Sequence, residues 1–96
     1  MNAKMIVLFA HWCPKCNMMM PIGEEVEVHY GEKLQVVRID VEEEPEKMEE
    51  YEAEIVPTFI LFQGEHEVGR MAGMLGEKTV YERIDSVLAE GNSEAD

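Results

Sequence analysis

The spacing of apolar residues along the chain predicts four strands and three helices. Continuous or alternating apolar runs are typical of strands, and apolar residues three and four positions apart are typical of helices. These patterns predict strands at 5–9, 34–41, 58–63 and 66–72, and helices at 14–30, 45–54 and 77–90. The resulting order, β-α-β-α-β-β-α, belongs to the α/β class.

This order of elements predicts a four-stranded mixed sheet with helices on both faces. A helical crossover requires the first two strands to run parallel, and a two-residue turn at positions 64–65 makes the last two an antiparallel hairpin. The first helix is expected to be kinked at Pro21. The positions expected on the inner helix faces are Cys16, Met19, Met20, Gly23, Val26 and Tyr30 in the first helix and Val80, Ile84, Val87 and Leu88 in the last.

The length and composition predict one small domain. Ninety-six residues with a 46% hydrophobic fraction suffice for a single folded core. The domain is expected over 1–90, followed by a polar tail at 91–96. The apolar run at 5–10 is shorter than a secretory signal or a membrane span requires, so a mature N-terminus and a cytoplasmic protein are expected. The protein is also expected to be a monomer.

The formal net charge of −13 disfavours two classes of partner. Nucleic acids and anionic membranes both bind through a basic face, so neither is expected to be a partner. Basic partners would be steered toward such a surface. The acidic stretch at 42–54 is expected to be a solvated helix face.

Cys13 and Cys16 form a C-x-x-C pair at the predicted start of the first helix. Side chains three positions apart on a helix lie about 5–6 Å from each other, which is within reach of a reversible disulfide. The helix N-terminus stabilises a thiolate at Cys13, with Lys15 and His11 adding to the effect, so a pKa near ~7 is expected. Cys16, one turn further in, is expected to be the buried thiol.

A metal site is the other use of such a pair. Structural zinc has four ligands, but the chain has no second C-x-x-C and its histidines, His11, His29 and His66, are scattered. The eight methionines are expected to fill gaps in the core rather than to bind copper. No metal is therefore expected.

The chain resembles the thioredoxin family over nearly its whole length. The resemblance lies in the segments 8–16, 37–42, 55–59 and 62–64, together with Arg70 and Gly73. Separate motifs that occur in the right order are far more specific than the cysteine pair alone. The family fold matches the predicted element order.

The resemblance implies a role for each matching residue. Cys13 corresponds to the attacking cysteine, Cys16 to the resolving one, and Pro57 to a cis-proline that faces the disulfide. The residues implied to receive or support a substrate are Trp12, Val56, Pro57, Gly73 and Met74, with Pro14 and Lys15 inside the motif. Family membership also implies partner proteins that carry disulfides, a thioredoxin-reductase-type or other dithiol reductant, and no bound cofactor.

Three departures from the family pattern matter. The chain has no room for the strand and helix that usually precede the first strand, so a minimal version is implied. Val7 stands where the family has a buried aspartate, which leaves the proton acceptor for Cys16 open between water and a neighbouring side chain. Arg38 stands where a lysine near that aspartate is common, or it is a strand-edge charge. Pro14 and Lys15 replace the usual Gly-Pro.

Other functions remain open from the sequence. The Cys-Pro-x-Cys order resembles glutaredoxins, and a glutathione-coupled reductase is the first alternative, although positions 72–77 lack the glutathione-binding Gly-Gly-Asp. The second is a metal or iron–sulfur carrier that uses Cys13 and Cys16 across a dimer. The third is an adaptor in which the pair is dispensable.

Overall fold

A computed structural model describes the backbone of residues 3–95 and the side chains of residues 3–89. The predicted element order is confirmed, with one turn of 3-10 helix at Gly31–Lys33 before the second strand. The elements are β1 (Ala3–Phe9), α1 (Pro14–Tyr30), β2 (Leu34–Asp40), α2 (Glu46–Glu50), β3 (Thr58–Gln63), β4 (His66–Ala72) and α3 (Glu77–Ala95).

The four strands form one mixed sheet in the order β2-β1-β3-β4. β1 runs parallel to β2 and antiparallel to β3, and β3 and β4 form the predicted antiparallel hairpin. β1 lies inside the sheet and is covered on both faces. Its side chains on both faces are therefore apolar, which explains its unbroken apolar sequence. Met5, Ile6 and Leu8 are accordingly buried although they point to opposite faces.

Helices cover both faces of the sheet, as predicted. On one face, α1 and α3 pack on the sheet through a core that includes Met5, Val26, Phe59 and Ile84. On the other face, α2 and its flanking loops pack on Ile6, Leu8, Ile39 and Ile60 through Met48 and Tyr51. The connection from β1 to β2 through α1 therefore packs on one face and the connection from β2 to β3 through α2 on the other, and the loop after β1 emerges at the end of a central strand between these two layers.

The inner faces of the long helices follow the predicted pattern. In α1, Met20 is half-buried and the other five predicted positions are buried. In α3, Leu88 is half-buried and the other three are buried. The helix α1 continues through Pro21 without a break. The expected kink at that residue stays a prediction.

Several predicted boundaries differ from the structure. The most informative is α2, which was expected to extend to position 54 but ends at Glu50. Glu52 has a φ of 54°, and the carbonyls of Tyr51 and Glu52 accept hydrogen bonds from the Arg70 guanidinium at 2.9 and 3.2 Å. Arg70, on the distant strand β4, therefore donates to carbonyls that would accept helical N–H groups if α2 were longer.

The other boundaries shift at the ends of elements. β1 begins two residues earlier than predicted, and β2 ends at Asp40, whose carboxylate accepts from the N–H of Glu42 at 2.9 Å and starts a turn. The helix α3 continues to Ala95, so the polar tail expected at 91–96 is helical up to that residue. A single glycine, here Gly91, costs a helix only about 1 kcal/mol and does not end it. The bounds of the domain stay a prediction.

Candidate active site

Cys13 is the N-cap residue of α1. Its backbone is extended, with φ −89° and ψ 111°, and its Sγ accepts a hydrogen bond from the N–H of Cys16 at 3.2 Å. Pro14 follows as the first helical residue, where its missing N–H costs nothing because that group has no partner within a helix. The sequence Cys-Pro thus begins the helix and places a sulfur where a helix binds negative charge.

This position lowers the pKa of the Cys13 thiol below its ordinary value. Burial alone raises the pKa, but hydrogen bonding from Cys16, the backbone of Lys15 and the positive charge of Lys15 outweigh it. The lowering of the Cys13 pKa that the sequence predicted is confirmed. His11 was expected to lower the Cys13 pKa further. Its Nε2 instead lies 3.0 Å from the Asp40 carboxylate, so its imidazole interacts with Asp40 and not with the Cys13 thiol.

Cys16 is the buried partner, with only 1% of its surface exposed. Burial, together with the hydrogen bond and charge interaction with Cys13, raises the pKa of Cys16 to about 11. Cys13 is therefore the more readily ionised thiol of the pair, and Cys16 holds its proton at neutral pH. The buried position expected for Cys16 is confirmed.

The loop before β3 approaches Cys13 from the opposite side. The peptide bond between Val56 and Pro57 is cis, as expected. The carbonyl oxygen of Val56 lies 3.6 Å from Cys13 Sγ, which donates to it in the thiol form. The N–H of Gly73 donates to the Pro57 carbonyl at 2.9 Å, and Gly73 has a φ of 80°, which favours glycine. The Cys16 N–H and the Val56 carbonyl therefore contact the Cys13 sulfur, and Gly73 is hydrogen-bonded to the residue that follows Val56.

A groove of about 650 Å³ opens beside Cys13. It is lined by Trp12, Cys13, Pro14, Lys15, Val41, Met48, Glu54, Ile55 and Val56. Trp12 is 68% exposed at its rim, whereas Cys13 is only 4% exposed and is reached through the groove. Pro57, Gly73 and Met74 were predicted to belong to the same surface, but the groove lining does not include them. Met74 is half exposed.

The sequence predictions missed four residues of the groove lining. They are Val41, Met48, Glu54 and Ile55. One signal was available, because Met48 and Tyr51 are three positions apart in an otherwise acidic stretch and mark its inward face. Ile55 lies in the family-like segment 55–59 next to the predicted residue Val56, whereas Glu54 lies in an irregular loop with no comparable signal.

A second, small cavity lies beneath Cys16. About 20 Å³ is open to the centre of a water molecule, which is room for about one. The lining consists of Val7, Phe9, Cys16, Met19, Met20, Gly23, Arg38, Pro57 and Phe59. It contains no carboxyl group, since Val7 occupies the place of the family's aspartate.

Arg38 lines this cavity, so it is more than a charge at the edge of the sheet. Its guanidinium nitrogen pairs with Glu27 Oε1 at 2.9 Å. The guanidinium is thus held toward α1 by a carboxylate that is itself half exposed.

The two thiols should react with an alkylating reagent in well-separated pH ranges. We expect the rate for Cys13 to rise at a pH below that of an ordinary thiol, and the rate for Cys16 to rise only near pH 11. Because thiolates react and thiols do not, iodoacetamide at neutral pH should label Cys13 alone. Mass spectrometry of peptides after timed labelling measures both rates. Equal labelling of the two residues at neutral pH would contradict the assignment.

Among the side chains of residues 3–89, no three histidine, cysteine, aspartate or glutamate groups come together as a metal site would require. No helix in the same part of the chain is long and apolar enough to cross a membrane.

Comparison with known proteins gives a consistent set of matches. A family model described as Thioredoxin matches residues 1–86. The curated protein "Thioredoxin Y1, chloroplastic" from Arabidopsis thaliana is 40% identical over 83% of this chain, which spans 46% of that protein. A thioredoxin from Staphylococcus epidermidis is 31% identical over 91% of this chain and 84% of its own length.

The fold is also similar to solved structures. The crystal structure of the germline-specific thioredoxin protein Deadhead from Drosophila melanogaster superposes with a TM-score of 0.82, at 24% identity, covering 88% of this chain and 80% of that one. A structure described as a malarial protein covers 90% of this chain and 97% of its own, with a TM-score of 0.83 at 17% identity. At these identities the structures support the fold alone.

Proposed function

The chain belongs to the thioredoxin family, and we propose that it is a thiol–disulfide oxidoreductase that reduces protein disulfides through Cys13 and Cys16. The observation that carries the proposal is the position of Cys13 Sγ. It accepts a hydrogen bond at the N-terminus of α1 and lies beside the Val56 carbonyl at the inner end of an apolar groove. A stabilised thiolate next to a docking groove is what attack on a partner's disulfide requires.

In the first step, the Cys13 thiolate attacks one sulfur of the substrate disulfide. A Cys13–substrate disulfide forms, the substrate S–S bond breaks, and the other substrate sulfur leaves as a thiolate that takes up a proton. The groove lined by Trp12, Ile55 and Val56 would hold the substrate segment during this attack. Backbone groups of Val56 would pair with that segment in the manner of an added strand.

In the second step, Cys16 loses its proton and attacks Cys13 Sγ. The Cys13–Cys16 disulfide forms, the bond between Cys13 and the substrate breaks, and the second substrate sulfur leaves as a thiolate that takes up a proton from solvent. Two electrons have then passed from the protein to the substrate. The raised pKa of Cys16 keeps this thiol protonated until the mixed disulfide forms. Since no carboxyl group lines the cavity beneath it, we propose that a water molecule there accepts the proton.

The remaining parts of the proposal follow from this cycle. The cysteines carry the electrons themselves, so the cycle requires no bound cofactor. A reductase of the thioredoxin-reductase type, or another dithiol, would reduce the Cys13–Cys16 disulfide again. We propose that the protein works as a monomer in the reducing cytoplasm, where this direction of exchange is favoured.

The reduction potential of the Cys13–Cys16 couple tests the proposal. Thioredoxin has a potential of about −270 mV and glutaredoxins about −200 to −230 mV. We expect a value near or below about −250 mV, measured by equilibration with glutathione and dithiothreitol buffers and separation of the two redox forms. A value above about −200 mV would contradict a protein-disulfide reductase and would favour an oxidising or glutathione-linked role.

A further inference from the structure

The segment 42–54 is a strongly acidic surface that its own fold does not neutralise. It holds eight glutamates and one lysine, and all eight glutamates are exposed. The lysine, Lys47, pairs with Glu50 at 3.1 Å. Among the described side chains, no other glutamate of this acidic segment lies within 4.0 Å of a positively charged group.

The acidic segment also forms one wall of the groove beside Cys13. Met48 and Glu54 line the groove directly, and α2, which carries Met48, carries three of the exposed glutamates. The opposite wall consists of Trp12, Pro14 and Lys15. A chain that reaches Cys13 therefore lies on a mostly apolar surface with one carboxylate, that of Glu54, in its lining, and the wall that supplies Glu54 and Met48 belongs to the acidic segment.

We propose that this groove selects disulfides that are flanked by lysine or arginine in an extended segment of a partner polypeptide. The inference rests on the proposed function and adds a substrate class to it. Positive side chains next to the attacked cysteine would lie opposite carboxylates that have no partner of their own, and the apolar lining would hold the stem of each side chain. Acidic flanking residues would meet like charge along the same wall.

Lys15 does not reverse this preference. It is the one cation in the groove lining and is matched there by Glu54, whereas the acidic segment as a whole carries eight glutamates and the protein a net charge of −13. The long-range field therefore steers cationic segments toward the surface, and the acidic wall favours them again after they arrive.

Three short peptide disulfides test the inference. They share one sequence except that the residues flanking each cysteine are lysine, glutamine or glutamate, and dithiothreitol supplies the electrons that regenerate the protein. We expect kcat/KM for the lysine peptide to exceed that for the glutamate peptide by at least about tenfold at an ionic strength of about 10 mM. At about 1 M the Debye length falls to about 3 Å, and the ratio should fall below about threefold.

A matched pair of variants separates the groove from the overall charge. Glu49→Gln with Glu54→Gln removes two charges from the acidic segment, and Glu32→Gln with Glu65→Gln removes two exposed charges near the end of the sheet opposite Cys13. We expect the first pair to lower the lysine-to-glutamate ratio about threefold and the second to leave it nearly unchanged.

The outcomes distinguish the inference from the function on which it rests. A ratio near one or in favour of glutamate, or an equal effect of both variant pairs, would overturn the selection by the acidic wall while the reductase function stands. If none of the three peptides is reduced, including the neutral one, the proposed function itself fails and the inference with it.

Discussion

Replacement of Cys13 with serine is expected to lower the turnover of a peptide disulfide by at least about 1,000-fold. A hydroxyl holds its proton at neutral pH and cannot attack a disulfide, even with the N–H of Cys16 directed at it. The fold should survive, because serine is among the preferred residues at a helix N-cap. Turnover with dithiothreitol as the reductant measures the first effect, and urea denaturation checks the second.

Cys16→Ser is the matched control, because it leaves the first step intact. Cys13 should still attack the substrate, but no second thiol can resolve the product. We expect a mixed disulfide between Cys13 and the peptide to accumulate, with a mass increase equal to one peptide. If Cys13→Ser formed such an adduct and Cys16→Ser did not, the roles of the two cysteines would be reversed. Full biological activity of Cys13→Ser would favour the adaptor function instead.

Apart from the cis-proline loop at Val56 and Pro57, which the family resemblance implied, the predictable parts of the site are those set by local sequence. Cys13 and Cys16 are joined by a single turn of helix, and Pro14 determines where that turn begins. The apolar run of β1 fixes a central strand, and a central strand determines where the loop to Cys13 emerges. Each of these depends on neighbours within a few residues, so the sequence contains all of the information needed.

The parts that were not predictable depend on contacts between distant segments. The early end of α2 depends on hydrogen bonds from Arg70, 18 and 19 positions along the chain. The place of Glu54 and Ile55 in the groove depends on that end, because a longer helix would have carried them elsewhere. The pairing of His11 with Asp40 likewise joins the ends of β1 and β2, which no local pattern brings together.

The cavity beneath Cys16 was predictable in part from the sequence and in part only from contacts between distant segments. Val7 could be recognised from the sequence as an apolar residue at the place of a family carboxylate. Only the structure shows that the site around it is apolar except for Arg38, and that Glu27 already engages Arg38. The lining of this cavity therefore offers no carboxylate to accept the proton of Cys16, which is why water is proposed as the proton acceptor in the second step.

Val7→Asp should show how poorly this cavity accepts a charge. The carboxyl would lie among Phe9, Met19 and Phe59, so its pKa should rise above the ordinary value of about 4. With the folded-state pKa above the unfolded one, the folded protein binds more protons, and stability falls as pH rises between the two pKa values. Burial of the neutral carboxyl should cost about 2 kcal/mol, and ionisation should add to it as pH rises. We expect the variant to lose about 5 kcal/mol of unfolding free energy at pH 8, about 1.5 kcal/mol more than at pH 5.

Val7→Asn supplies the uncharged comparison, because its shape is nearly that of aspartate. Burial of its amide should cost about 2 kcal/mol at both pH values, since it does not titrate. Urea denaturation of both variants and the wild type at each pH gives the differences. Glu27→Gln added to Val7→Asp should free Arg38 to pair with the new carboxylate and recover part of the loss at pH 8. An equal loss for Asp and Asn at both pH values would mean that solvent reaches the cavity freely, and water could then take the Cys16 proton directly to bulk.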